Sequence, residues 1–194
     1  MEPAGLRERG KARRRDAIVR AAYRLFAERG YEATTISDIA AEAEVAPRTV
    51  ALYFPSKQDI ALSRFSARSD TLTTALHERG QGESVMSVLE KWLRDDGLHP
   101  EDDLKCLGQR MFAANPELNA LRSARMADAI NEGAKAIAQD TGLSPDDPGP
   151  RLAAVAIAAI VVEISDLPRG PERDAAIDTA LALLGAGIRT LRAV

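Results

Sequence analysis

Side chains able to do covalent or acid–base chemistry are sparse here. The sequence has one cysteine, Cys106, and two histidines, His77 and His99, which lie 22 positions apart. That separation keeps the histidines off adjacent helical turns, so no local metal or nucleophile pair arises. No Ser/His/Asp set, phosphate-cradling glycine loop or metal-ligand spacing is present, so no catalytic residue, metal or cofactor is expected. Cys106 reads as a small buried apolar side chain.

The chemistry that the residues do support is contact with phosphate. Residues 1–30 hold 9 basic and 4 acidic side chains, with Arg13, Arg14 and Arg15 as the densest cluster. Each phosphate neutralised by such a cluster releases counterions, which favours binding. A solvated terminal arm fits the same composition. The net charge of -3 over 194 residues hides this asymmetry: residues 1–80 sum to +3 (14 basic, 11 acidic) and residues 81–194 to -6 (12 basic, 18 acidic).

The elements that must position these charges read as helical throughout, for about nine helices and no strands. The first covers about 11–29, with Ile18, Ala22 and Leu25 on one face, and ends at Gly30. Thr34 or Thr35 caps a short helix, about 36–43, and Asp38 completes a capping box with Thr35. After a break at Glu44–Val45, Pro47 opens a second short helix, which Phe54-Pro55 ends. Ser56, with Asp59 three residues on, caps a longer helix over about 56–79. Further helices are expected near 84–95, 101–113, 116–139, 149–166 and 172–192, with breaks at Asp96-Gly97, Asn115-Pro116, 141–150 and 168–171.

Two short helices across a tight turn, behind a basic helix, form a helix-turn-helix pattern. Val45 and Val50 point into its core, leaving Pro47, Arg48, Thr49, Ala51, Leu52 and Tyr53 more exposed on a helix sized for a major groove. The fixed spacing is more specific still. Phe26-Ala27-Glu28-Arg29-Gly30-Tyr31, Thr35-Ile36-Ser37-Asp38-Ile39-Ala40 and Tyr53-Phe54-Pro55-Ser56-Lys57 together resemble the signature of the TetR family of bacterial transcriptional regulators, over about residues 13–62. The remainder resembles the family only in length and helical character.

The resemblance implies a helix-turn-helix domain over residues 1–57, a connecting helix over about 56–79, and an effector-binding and dimerisation domain over 80–194. It implies a homodimer that binds a pseudo-palindromic double-stranded DNA operator and responds to a small-molecule effector. Repression follows from the same likeness; the single cysteine fits a reducing cytoplasm, and the shortness of the apolar runs leads to the expectation of no membrane partner. The implied DNA contacts are Arg14, Thr35, Pro47, Arg48, Thr49, Leu52, Tyr53 and Lys57. Arg48 is the candidate for bidentate reading of guanine, and Thr35, Tyr53 and Lys57 would meet phosphate. Thr35 is also readable as a cap alone, Tyr53 as core and Lys57 as a solvated charge.

Three residues depart from the family pattern. Glu44 stands where glycine is usual, Ala51 replaces a frequent aromatic phosphate contact, and Arg48 replaces a residue that is often glycine. A second reading, a helical interaction protein that has lost DNA binding, would treat Glu44 and Ala51 as relics of that loss.

In the second half, Trp92, Met111, Phe112, Met126 and Ile130 are the expected effector-lining residues, with plain core as the alternative. The longest uncharged apolar run, Leu152 to Val162, has 11 residues, short of the roughly 20 needed to span a bilayer. Glu163 at its end reads as a solvated charge or as an acid facing the effector. Val155 and Ala159, with Leu181, Leu184 and Ile188 of the last helix, are expected to form a four-helix dimer interface with a second copy.

Overall fold

The computed structural model describes residues 4–95 and 103–191, all helices and connections. His99, the Asp96-Gly97 break and the end of the last helix at Arg192 lie outside the described residues. The chain divides into two compact units: Met1–Arg64 with Pro100–Leu121, and Phe65–His99 with Arg122–Val194.

In the first unit, α1 (Ala4–Arg29) is followed by α2 (Ile36–Glu42), α3 (Pro47–Tyr53) and α4 (Lys57–Ala61). Ile18, Ala22, Leu25 and Phe26 line the buried face of α1, as their spacing predicts. Ile39, Ala40, Val50, Phe54, Ile60 and Ala61 close over them. The chain then enters α5 (Ser63–His77).

The same unit recruits α7 (Asp103–Ala114), which packs along α1 and adds Leu104 and Met111 to the core, and Leu118 from α8 (Glu117–Arg125). Gly108 makes this approach close: a Cβ there would stand 3.3 Å from the ring of Tyr23, which is buried. A mid-helix glycine costs about 1 kcal/mol of propensity, which the α1–α7 packing offsets. Cys106, two residues after Leu104, lies on the opposite face of α7 and is exposed, not buried as expected.

The second unit holds α6 (Val85–Arg94), α9 (Ala127–Thr141), α10 (Pro148–Asp166) and α11 (Pro171–Thr190), with most of α5 and the end of α8. Val85, Val88, Leu89, Trp92 and Leu93 form one apolar stripe on α6. Where α9 packs on α10 the residues are small: a Cβ on Gly133 would stand 3.6 Å from the Ala154 methyl, and Ala129, Ala134, Ala136 and Ala158 belong to the same core. That is how a chain with 4% aromatics fills this core: short side chains let the helix axes approach. Arg79 ties three elements together. Its guanidinium donates to Asp140 (2.6 Å), Gln139 (2.5 Å) and the Ala136 carbonyl (3.2 Å), while Asp140 accepts from the Val85 N–H at the start of α6 (2.8 Å).

Eleven helices are described, not nine, because two long ones are interrupted, at Leu62 and at Met126. Both residues are fully buried and stay right-handed, but their ψ near zero departs from the roughly -42° of a regular α-helix. No proline or glycine marks either break, so apolar periodicity runs through them unchanged.

By length and composition α10 could cross a membrane. Here its buried side meets α9 and α11, and Leu152 and Val155 are exposed on the other side.

Candidate nucleic-acid interface

Backbone geometry sets the orientation of the α2–α3 pair. Gly30, at φ 88, ends α1, and its carbonyl accepts from the buried Thr34 hydroxyl at 2.8 Å. Thr35 then caps α2 in the expected box: its oxygen accepts from Asp38 N–H (3.1 Å), and Asp38 accepts from Thr35 N–H (2.8 Å) and hydroxyl (2.6 Å). These bonds from Thr35 hold the Asp38 carboxyl below the usual carboxylate range. The box therefore contributes at neutral pH and weakens as pH falls through that lowered value. Thr35 is thus fully engaged as a cap.

The turn between α2 and α3 closes with Val45 N–H donating to Ala40 O at 2.9 Å, and it forces Glu44 to φ 53. Glu44 is the one non-glycine residue with positive φ among those described. A left-handed L-residue costs about 1–2 kcal/mol, and glycine returns about half of that as chain entropy. Glu44→Gly is therefore expected to raise the melting temperature by about 2 °C, as followed by circular dichroism. Removing the carboxylate beside α3 should also tighten DNA binding, most clearly at low salt.

Across α3, Val50 is fully buried and holds the helix down, and Thr49 and Tyr53 are half-buried. Pro47, Arg48, Ala51 and Leu52 face outward, with Leu52 82% exposed. Arg14 is exposed on α1, and Arg15 stacks over the Phe54 ring, 5.0 Å from its centroid. Ser56 caps α4 by accepting from Asp59 N–H at 3.1 Å, as its spacing predicts.

Lys57 has a different setting from the one its motif implies. Its ammonium donates to the carbonyls of Tyr31 (2.7 Å) and Thr34 (3.0 Å), and lies 4.3 Å from the centroid of the Tyr31 ring. It fastens the loop between α1 and α2. Asn115, which the sequence reading passed over as a helix break, fastens the other side. It is buried, accepts from Tyr31 N–H (2.6 Å), and donates to the carbonyls of Phe26 (3.0 Å) and Met111 (2.7 Å). Only its place before Pro116 marked it in the sequence.

The expected effector residues separate. Trp92, Met126 and Ile130 belong to the core of the second unit. Met126 and Ile130, with Leu72, Leu76, Val85 and Leu89, line a small apolar cavity there, of about 20 Å³ open to a water-sized sphere. Trp92 is outside that lining: its indole N–H donates to Thr71 (2.9 Å) and Arg68 stacks on its ring. Met111 and Phe112 are corrected by the structure. They pack in the core of the first unit, because α7 buries its apolar face against α1.

This geometry, a capped helix pair with one exposed reading face, meets its comparison at residues 18–63, which match the family model for bacterial regulatory proteins of the tetR family. Residues 83–189 match the model of the MftR C-terminal domain. This chain belongs to the TetR family. Its DNA-binding regulator character follows from that membership. TcmR of Streptomyces glaucescens, an HTH-type transcriptional regulator, is 34% identical over 151 residues, 74% of this chain and 67% of TcmR.

Among solved structures, NalD of Pseudomonas aeruginosa, a repressor of a multidrug efflux pump, superposes with a TM-score of 0.62 at 19% identity. That match covers 92% of this chain and 97% of NalD. FadR of Thermus thermophilus, a TetR-family repressor solved with lauroyl-CoA, gives 0.54 at 25% identity, over 89% and 94%. These relatives are transcriptional regulators, and among the described residues of this TetR-family chain no acidic, histidine and cysteine group is placed to hold a metal.

Proposed function

We propose that this TetR-family protein is a homodimeric repressor acting on the chromosome, whose α3 helices read a pseudo-palindromic operator and whose second unit takes a small effector. The observation that carries this reading is α3 itself: a helix anchored by the buried Val50, with Pro47, Arg48, Ala51 and Leu52 exposed on its outward face. Arg14, from α1, would add a phosphate contact, while Lys57 and Thr35 act on the DNA indirectly by fixing the loop and the cap that set the height of α2. Tyr53, half-buried, would both pack and reach phosphate. The apolar lining at Met126 and Ile130 suits an effector with an apolar body. Entry of such a body requires that small cavity to widen, which would couple occupancy to helix position. An electrophoretic mobility assay with the DNA flanking its own gene tests the reading. A specific, salt-dependent shift supports it, and no specific duplex at any salt overturns it.

Support for the dimer comes from a face that α10 and α11 leave open. Leu152, Val155, Ala156 and Ala159 are exposed along α10, and Thr179, Ala182, Leu183 and Ala186 along α11. Leu183 is 65% exposed and Leu152 69%. Val155 and Ala159, the proposed α10 contacts, are among these exposed residues. Leu184 is corrected: it is buried in the core of its own unit, and Leu181 and Ile188 pack partly against the same core. The stripe at spacings of 4 and 3 is thus the intramolecular one, and the open face is offset by about a residue. Leu183→Glu is expected to shift the protein from dimer to monomer in light scattering after size exclusion, since a charge buried at such a contact has no partner. A dimer that persists in this variant would remove α11 from the interface.

A further inference from the structure

We infer that Leu52 is a specificity-determining residue that reads a thymine methyl group in the operator, one or two base pairs from the guanine met by Arg48. This rests on the DNA reading proposed above. Four large apolar side chains are strongly exposed among the described residues. Leu152 and Val155 are exposed along α10, and Leu183 along α11. Leu52 stands apart from them, on the outward face of α3 and 82% exposed.

Its chemistry narrows what it can recognise. A leucine has no hydrogen-bonding atom, so it cannot read the donors and acceptors of the major groove. The apolar group on that groove's floor is the thymine C5 methyl, which otherwise stays in water. Ala51, immediately before Leu52, is also exposed and is too short to fill the same space. Leu52 therefore projects unobstructed from the helix.

Arg48 fixes the register. Positions 48 and 52 are one turn apart on the same face, with Cβ atoms about 6 Å from each other. Successive base pairs rise about 3.4 Å along the duplex. A guanine under Arg48 thus puts Leu52 over a pair one or two steps away. Arginine reads that guanine through hydrogen bonds, and leucine reads its neighbour through the methyl, so the two residues specify a G and a T within a short half-site.

The test starts with the full-length protein and selection from a randomised duplex library. The expected product has a G and a T within two base pairs in each half-site. Replacing that thymine by deoxyuridine removes only the methyl. Wild-type protein should then bind about fourfold more weakly per half-site, the cost of one apolar carbon left in water, or about fifteenfold over two. Leu52→Ala should bind the two duplexes alike while keeping the guanine preference. Because Leu52 is exposed, an unchanged melting curve is expected for this variant. Two results overturn the assignment alone: an enriched site where deoxyuridine has no effect at any thymine, or Leu52→Ala that still discriminates thymine from deoxyuridine. Enrichment of no sequence overturns the DNA reading and this assignment with it.

Discussion

On the proposed DNA reading, Arg48→Ala is expected to weaken operator binding by about 2–6 kcal/mol per dimer, because a bidentate arginine–guanine contact contributes about 1–3 kcal/mol and two half-sites would lose it. Fluorescence anisotropy on a labelled operator would record this as a loss between about thirtyfold and twenty-thousandfold. The fold should be unaffected. Arg48 is exposed on α3, and the helix is held by Val50 below and by the Phe54 N–H bonded to Val50 O at 2.9 Å. Arg48→Lys separates base reading from charge. Lysine keeps the positive charge but not the planar fork, so salt dependence should persist while preference for guanine falls. A variant with wild-type affinity would place base reading elsewhere.

Asp166→Ala is expected to be among the most destabilising substitutions in the chain. Arg122 is 1% exposed, yet it carries a full charge inside the second unit. Its guanidinium donates to both carboxylate oxygens of Asp166, at 2.5 and 2.8 Å, and to the Val162 carbonyl at 3.3 Å, and lies 5.5 Å from the centroid of the Phe65 ring. Removing Asp166 leaves the cation buried with the carbonyl and the ring but without that carboxylate. Breaking a fully buried pair from one side costs about 3–5 kcal/mol; with Asp166 42% exposed, water reaches the gap, and about 2–3 kcal/mol, roughly 6–8 °C in melting temperature, is expected. The reverse substitution should be milder. Arg122→Met removes the charge that needs compensation and keeps apolar volume, and Asp166 is 42% exposed and can be hydrated. Thermal melts of the two single variants and the double variant, analysed as a cycle, check this. If Arg122→Met is as damaging as Asp166→Ala, the desolvated cation is not the dominant cost.

The reading head was legible because its signals are local. Capping by Thr35–Asp38 and Ser56–Asp59, the Gly30 stop, Pro47 at the start of α3 and the strained Glu44 all act within a few residues of themselves. Each is therefore written in short stretches of sequence. The periodicity of α1 likewise identified its buried face. Lys57 shows the limit even here. Its motif marks the position, but its partners are carbonyls 23 to 26 residues away, contacts that spacing cannot reveal.

Sequence by itself determined that this chain is helical, where its reading helix starts and stops, and that a basic N-terminal segment precedes an acidic remainder. Tertiary structure alone decided which core each later helix joins. A stripe at 3.6-residue spacing says that one face of a helix avoids water, but it does not say which surface covers it. So α7, with Met111 and Phe112, went to α1, whereas α9, with Ile130, went to α10. On α11 the same ambiguity separated neighbours: Leu184 turned inward to its own core and Leu183 outward, because a helix rotates its side chains by about 100° per residue and only the packed neighbours select the face.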